Sequence, residues 1–201
     1  AIDLHTPTNK LYSNMSKSHR KKINKAKKEG QTIIIINDKT NKKIIDKEFT
    51  KYKTAHISAS GKQNRSDQSY NYMKKLIYDG KVILFINQIL GKSYSYLLCD
   101  FSYQSSRGWS MVIDPDADNQ ASLRHLLEWC AILYFKKLGM RIYDLGPIFS
   151  ESELGTDYHP KLGGISEFKK RYGPKIYPEV HFEKYINPEL RYLIWSQRIK
   201  V

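Results

Sequence analysis

His56, Arg65, Asp144 and Lys169 are the residues of this sequence whose types and settings suit proton transfer and anion recognition. An imidazole titrates near pH ~6.5 and accepts a proton at neutral pH, so His56 reads as a base. It also shares a helical stripe with Phe49 and Tyr52, which is where a satisfied core histidine would sit. Arg65 follows a short loop later in HISASGKQNR. Its planar fork suits a carboxylate or phosphate, and a plain surface arginine fits the same position. Asp144 interrupts the apolar run RIYDLG, where an unpaired carboxylate is costly, so it needs Arg65, Lys169 or a substrate amine as partner, or a purely structural one. Lys169 lies in GGISEFKKRYGPK, residues 163 to 175. There Phe168 reads as an anchor that carries Lys169 inward, and Gly163 and Gly164 as points where backbone passes close to a neighbour or ligand. Lys170 and Arg171 face water in that reading, and a basic surface turn with one buried Phe is its plain alternative.

These groups are spread along the chain, so the elements must gather them. Ser13 to Lys28 reads as a polar helix with a thin stripe of Met15, His19, Ile23 and Ala26, stopped by Gly30. Seven of the twelve residues from Lys17 to Lys28, Arg20 and Lys21 among them, are Lys or Arg, a density that requires water or an anion opposite. TIIIIND reads as a buried strand, residues 46 to 59 as a helix, and a third helix runs from Ser66 to Gly80. KVILFINQIL, a Gly91-Lys92 turn, SYSYLLCDFSY, the polar loop QSSRG and WSMVID then form an antiparallel meander. A helix from Ala121 to Leu138 follows, with a stripe of Leu123, Leu126, Leu127, Cys130, Leu133 and Leu138. Gly139 ends it, and RIYDLG is the next strand, parallel to WSMVID across a crossover. Beyond it come a long loop (147 to 163), a strand near IYPEVHF and a last helix with Asn187 as N-cap and Pro188 at its first position.

This order predicts an α/β (α+β) fold, a mixed and mostly antiparallel sheet flanked by helices, as a single domain over residues 1 to 201. The break between the parallel strands is the natural ligand site. Val112, Ile113 and Asp114 end one of those strands, and backbone N–H groups at Gln120, Ala121, Ser122 and Leu123 can hold a pyrophosphate at the helix start. His125, close by, reads as a helix-surface residue within reach of the same phosphate. The 34 Lys and Arg against 20 Asp and Glu leave a net charge of +14, which favours phosphate-bearing partners, although a compositional bias gives the same excess. Cys99 and Cys130 stand outside any CxxC or Cys/His cluster, so no metal site or disulfide framework is expected and a reducing, cytoplasmic setting fits. No apolar run reaches the ~20 residues that span a bilayer, so no membrane insertion is expected. The chain starts without Met and AIDL reads like a strand already under way, so it is expected to be the later part of a longer chain.

Four stretches, SKSHRKKINKAKKEG, AHISASGKQNR, LLEWCAILYFKKLGMRIYDLG and GGISEFKKRYG, resemble in order and spacing the FemAB-like branch of the GNAT acyltransferase superfamily, over nearly the whole chain. The resemblance implies transfer of an acyl or aminoacyl group from a thioester or aminoacyl-tRNA to an amine. It is nearest in feel to members of surface-polysaccharide synthesis that use acyl-CoA. The acceptor would be the amino group of a sugar nucleotide or glycan precursor, with acetyl-CoA or another acyl-CoA as donor. It also implies a tyrosine that protonates the leaving thiolate, for which Tyr172 is the candidate. Two features depart from the pattern. The chain has room for one GNAT unit and no tRNA-binding arm, and ADNQAS stands where a [QR]-x-x-G-x-[GA] pyrophosphate loop is usual. The competing readings are an aminoacyl-tRNA-dependent transferase of peptidoglycan synthesis, with tRNA as partner, and a non-catalytic nucleic-acid-binding module.

Overall fold

The computed structural model describes residues 1–117, 122–149 and 160–178, with 187, 189 and 192 as isolated positions. Six strands form one sheet: β1 (Ile2–Asp3), β2 (Thr32–Ile36), β3 (Val82–Ile89), β4 (Lys92–Ser102), β5 (Ser105–Ile113) and β6 (Ile142–Asp144). Their order is β1-β6-β5-β4-β3-β2, antiparallel throughout except for β5 beside β6. The helices are α1 (Thr8–Asn14), α2 (Lys17–Lys28), α3 (Lys42–Ser60), α4 (Asp67–Tyr78), α5 (Leu123–Lys137) and α6 (Pro160–Lys170).

One face of the sheet packs on α2 and α5, in a core that includes Ile23, Ala26, Phe85, Leu97, Leu127, Ile132, Phe135 and Tyr143. The other face packs on α3 and α4 through Phe49, Tyr52, Tyr70, Met73, Ile77, Leu84, Leu98 and Val112. α5 is buried on most sides, so its core residues extend from Leu123, Leu126 and Leu127 to Trp129, Ala131, Ile132 and Phe135, while Leu138 is exposed. A helix covered in this way shows no single stripe, and the expected one is therefore off by part of a turn.

Several features differ from the sequence reading for local reasons. The expected Ser13–Lys28 helix is two helices. The chain turns extended at Met15 and Ser16, whose hydroxyl accepts from the His19 N–H and caps α2. The two hairpin turns are Leu90-Gly91 and Tyr103-Gln104, with positive φ at Leu90, Gly91 and Tyr103, and most of QSSRG is strand. TIIIIND is an edge strand with Ile34 39% exposed, so it is half covered and not buried. Residues 160 to 163, expected in a loop, open α6. A Cβ at Gly164 would meet nothing within 4 Å, so no close backbone passage requires a glycine there. Most of IYPEVHF and of the last predicted helix lies outside the described residues, though the Glu189 N–H does donate to Asn187 Oδ1.

The motif's last glycine has a clear task. Gly173 has φ +72°, and a Cβ there would lie 2.6 Å from the Asn14 carbonyl oxygen. The Ser16 N–H donates to the Arg171 carbonyl at 2.9 Å, so the end of α6 is docked on the α1–α2 junction.

His19 joins the same elements. It is buried, its Nε2 donates to the Phe168 carbonyl at 3.1 Å, and its Nδ1 is buried with no hydrogen bond among the described residues. Its ring lies 4.5 Å from that of His125 and 4.7 Å from that of Tyr172. Burial first, then the nearby Arg171, Lys22 and Arg124 charges, push its pKa down to about 4, against the Phe168 hydrogen bond. The folded state therefore favours neutral His19, and stability is complete above pH ~6.5 and falls as pH drops towards 4. Acid titration of chemical stability should show a loss of ~2 kcal/mol over this window, allowing for solvent screening. His19→Gln should flatten it, and an unchanged slope would assign the acid sensitivity elsewhere.

Candidate active site

β5 and β6 share only three rungs, Ser105 with Ile142, Ser106 with Tyr143 and Arg107 with Asp144. β6 stops there while β5 continues to Ile113. The reason for the parting lies in β5's pairing with β4. Cys99 faces Gly108 and Leu98 faces Ser110, so Trp109 is an extra residue, a bulge that bends and twists the strand. From Gly108 to Ile113 β5 has no strand partner on the β6 side among the described residues, and its N–H and C=O groups there form an open edge. The described start of α5 lies beyond this edge in the chain, and Gln120 and Ala121 are outside the described residues. Val112 points into the α3–α4 core, and Asp114 donates its N–H to the Tyr94 carbonyl. Ser122 is buried and bonded to Gln31 and Glu29 side chains.

Beneath the fork lies a pair that the sequence reading missed. Glu128 of α5 accepts a 2.5 Å hydrogen bond at Oε1 from the Tyr143 hydroxyl of β6, and Cys99 Sγ is 3.7 Å from the same hydroxyl. Both side chains are buried. A Cβ built on Gly108 would lie 3.1 Å from Tyr143 Oη and 3.4 Å from Glu128 Oε1, so the pair sits directly under the first residue of the open edge. Burial pushes the Glu128 carboxyl up to about 7, despite the Tyr143 hydrogen bond and the Lys169 charge, which act downward. Burial also raises Tyr143 well above the usual phenol range, so it stays protonated. A carboxyl that titrates near neutrality beside a fixed proton donor is a set suited to acid–base work. Glu128 stood within LLEWC as one acid in an apolar helix, and that isolation was the available signal.

The predicted residues divide between the two faces. Lys169 stands at the fork, donating to the Pro147 carbonyl at 2.8 Å and lying 3.2 Å from a Cβ built on Gly146. Burial lowers its pKa, while the Glu128 and Asp144 charges act upward. Asp144 ends β6 and lines a cleft of about 510 Å³ with Asp100, Arg107 and others. Its Oδ1 accepts from the Gly146 N–H, and Arg65, one of its expected partners, is instead bonded to His56, Ser110 and Tyr52. His56 and Arg65 lie together on the α3 side, with Nε2 and Nη1 2.6 Å apart.

Two placements correct the sequence reading. Tyr172 is buried and donates to the His125 carbonyl at 3.2 Å. Burial holds its pKa far above 10, so it serves packing and is not presented to a substrate. His125 is buried among His19 and Phe168 and does not lie on the helix surface. Arg20 donates from Nη1 to the Ser13 and Met15 carbonyls and so closes the end of α1, while Lys21 is exposed. Unanticipated beside them, Arg124 in the first turn of α5 stacks its guanidinium 4.3 Å from the Phe168 ring centroid. Among the described residues, no group of three or more His, Cys, Asp or Glu side chains is placed to hold a metal ion, and no helix is long and apolar enough to cross a membrane.

No family model matches the chain, and no curated protein sequence matches it. Solved structures do match. FemX superposes with a TM-score of 0.65 at 14% identity, over 85% of this chain and 57% of its own. The aminoglycoside acetyltransferase meta-AAC0020 from an uncultured soil metagenomic sample, in complex with sisomicin, has a TM-score of 0.56 at 12% identity, covering 78% of this chain and 97% of that one. Aminoglycoside N-acetyltransferase AAC(6')-Iy in complex with CoA gives 0.53 at 9%, over 78% and 95%. The chain has the GNAT-like fold that these proteins share. FemX brings the FemAB-like branch suggested by the motifs among them, and the chain spans little more than half of FemX.

Proposed function

We propose that the chain is an N-acyltransferase that moves an acyl group from acyl-CoA, acetyl-CoA in the first instance, to an amino group of a sugar nucleotide or cell-surface glycan precursor. The observation that carries this reading is the three-rung β5–β6 pairing, which leaves β5 open from Gly108 directly above the Glu128–Tyr143 pair. An extended amide-bearing donor arm can hydrogen-bond along that edge as an added strand would. The N–H groups of β5 then stand where a thioester carbonyl develops negative charge. Once donor and amine are aligned, much of the barrier is met by position alone. The amine nitrogen bonds to the carbonyl carbon, the C–S bond breaks, and the amine's proton passes to Glu128. Glu128 then passes that proton to the thiolate sulfur, while the Tyr143 hydroxyl stays protonated and keeps its hydrogen bond to Glu128, so both groups end as they began. Lys169 keeps a positive charge beside Glu128 and fixes the Pro147 carbonyl at the fork.

Phosphates of the donor would be attracted by Arg124, Lys22 and Arg171, whose charges converge around His19 near the start of α5. Use of acyl-CoA is supported by the fold shared with AAC(6')-Iy, a protein seen with CoA. Such a donor belongs in the cytoplasm, where we place the chain. An aminoacyl-tRNA donor is the second reading, favoured by the exposed Lys17, Lys21, Lys25, Lys27 and Lys28 along α2.

A thiol-release assay with acetyl-CoA and amino-sugar acceptors separates the two. Acceptor-dependent release of free CoA is the expected result. Absence of release, together with a gel shift by aminoacylated tRNA and none by uncharged tRNA, would replace the first reading by the second.

A further inference from the structure

The cavities, the basic face of α2, the histidine cluster around His19 and the polar network on the α3 side all stand outside the acid–base pair, and the last of these carries most. α3 ends at Gly61, and the loop that follows folds back to place Arg65 over β5, on the face away from Glu128. Among the described residues, the hydrogen bonds of its guanidinium are made by Nη1: to His56 Nε2 at 2.6 Å, to Ser110 Oγ at 3.4 Å and to Tyr52 Oη at 3.5 Å. A guanidinium has no lone pair, so His56 Nε2 must accept, and the ring's proton resides on Nδ1. Nδ1 then donates to the Tyr70 hydroxyl at 3.0 Å. Tyr52 and Ser110 complete the grip through their own 2.8 Å hydrogen bond.

This arrangement fixes one nitrogen of Arg65 with neutral groups only. Arg65 makes no ion pair among the described residues. The acid next to its loop, Asp67, is taken by Lys53 at 2.7 Å and Gln63 at 3.0 Å. The guanidinium thus keeps its full charge, and its other edge, Nε with Nη2, is the one that meets an oxyanion in two parallel hydrogen bonds. A surface hollow of about 590 Å³ lined by Lys62, Gln63, Asn64, Arg65 and Ser66 adjoins it. Across β5, Gly108 faces Glu128 and Ser110 faces Arg65, with the Trp109 bulge between them.

We infer that Arg65, set in place by His56, is the receptor for a carboxylate or phosphate carried by the acceptor, on the side of β5 opposite the Glu128–Tyr143 pair. That the bound molecule is the acceptor rests on the acyl-transfer reading, whereas the anion receptor itself does not. His56 is a positioning residue here. The groups that face it are Tyr52 on its own helix, Arg65 from the loop and Tyr70 from α4, whose ring carries the Lys53 ammonium 5.3 Å away. None is a carboxylate that would welcome an imidazolium. A proton on Nε2 would remove Arg65's acceptor and set a second cation against it, so the receptor should fail in acid.

Calorimetric titration without any donor tests this with three ligands: glucosamine 6-phosphate, muramic acid and, as a control lacking an anion, glucosamine. At about pH 7.5 at least one anionic sugar should bind about tenfold tighter than glucosamine, and the tighter of the two tells phosphate from carboxylate. Arg65→Gln should erase the difference, and Arg65→Lys should keep part of it. Burial and the Arg65 charge hold the His56 pKa below the usual imidazole value, so the wild type should lose the difference only at acid pH, where His56→Gln, whose amide oxygen can accept the same hydrogen bond, should preserve it. His56→Leu should lose it at both pH values. Absent or equal binding of the three sugars by the wild type, or an unchanged preference in Arg65→Gln, would overturn the inference. A retained preference in a protein that releases no thiol would sink the transfer reading and leave the receptor standing.

Discussion

Glu128→Gln should lower turnover by about 100-fold or more, because the amide keeps the shape and the Tyr143 hydrogen bond but cannot take a proton. The pH dependence makes the test specific. With its carboxyl held at about 7, Glu128 is ionised only above neutrality, so the wild-type rate should climb as pH rises through 7 and then level off. What activity remains in the variant should lack that limb. Stability supplies the control. A carboxyl whose folded pKa is raised favours folding below its unfolded value and loses that benefit as pH rises through 7. The glutamine variant, free of the buried charge, should therefore be no less stable than the wild type at about pH 8. If the variant keeps the limb or the rate, Glu128 is a structural acid and the base lies elsewhere.

Gly173→Ala should cost about 3 kcal/mol, a fall in Tm of roughly 6–12 °C for a chain of this size. Two penalties combine. The φ of +72° is unfavourable for any residue with a Cβ, and that Cβ would sit 2.6 Å from the Asn14 carbonyl oxygen and 3.1 Å from its carbon. Main-chain atoms cannot swing aside as a flexible side chain can. Gly164→Ala, nine residues earlier in the same stretch, is the matched control. There the added methyl group meets nothing within 4 Å and lies inside a helix, where alanine is favoured, so its melting point should hold or rise. Equal melting of the two variants would mean that α6 is not anchored through Gly173.

Much of the architecture could be read from period and punctuation. The change from helical stripes to continuous β-branched runs at Lys81, and the return to a helix after Pro115, located the meander and the crossover. The parallel neighbours β5 and β6 followed from that order. What was not legible depended on contacts between distant segments. The α1–α2 break turns on a hydroxyl of Ser16 bonding the His19 N–H, and a serine in a lysine-rich stretch does not announce this. Glu128 was hidden because helix α5 is covered nearly all round, so a polar residue at any position faces protein, and only the tertiary partner Tyr143 reveals its purpose. Tyr172 and His125 were misjudged for the same reason, since the packing of α2 against α6 decides their burial. For Arg65 the sequence offered the residue and the loop but not the three neutral groups that hold one nitrogen and, among the described residues, leave the other edge without a hydrogen bond.

The half of β5 that has no strand neighbour among the described residues has a consequence outside chemistry. A row of unpaired main-chain groups is a template on which a second chain can extend a sheet, and proteins ordinarily shield such rows to stay apart in solution. Here the row lies in a fork whose other arm is the turn after β6, and the twist imposed at Trp109 carries it away from a flat approach. A foreign strand would have to thread in lengthwise and match a bent register. The same bulge that opens β5 therefore also makes it a poor seed for self-association.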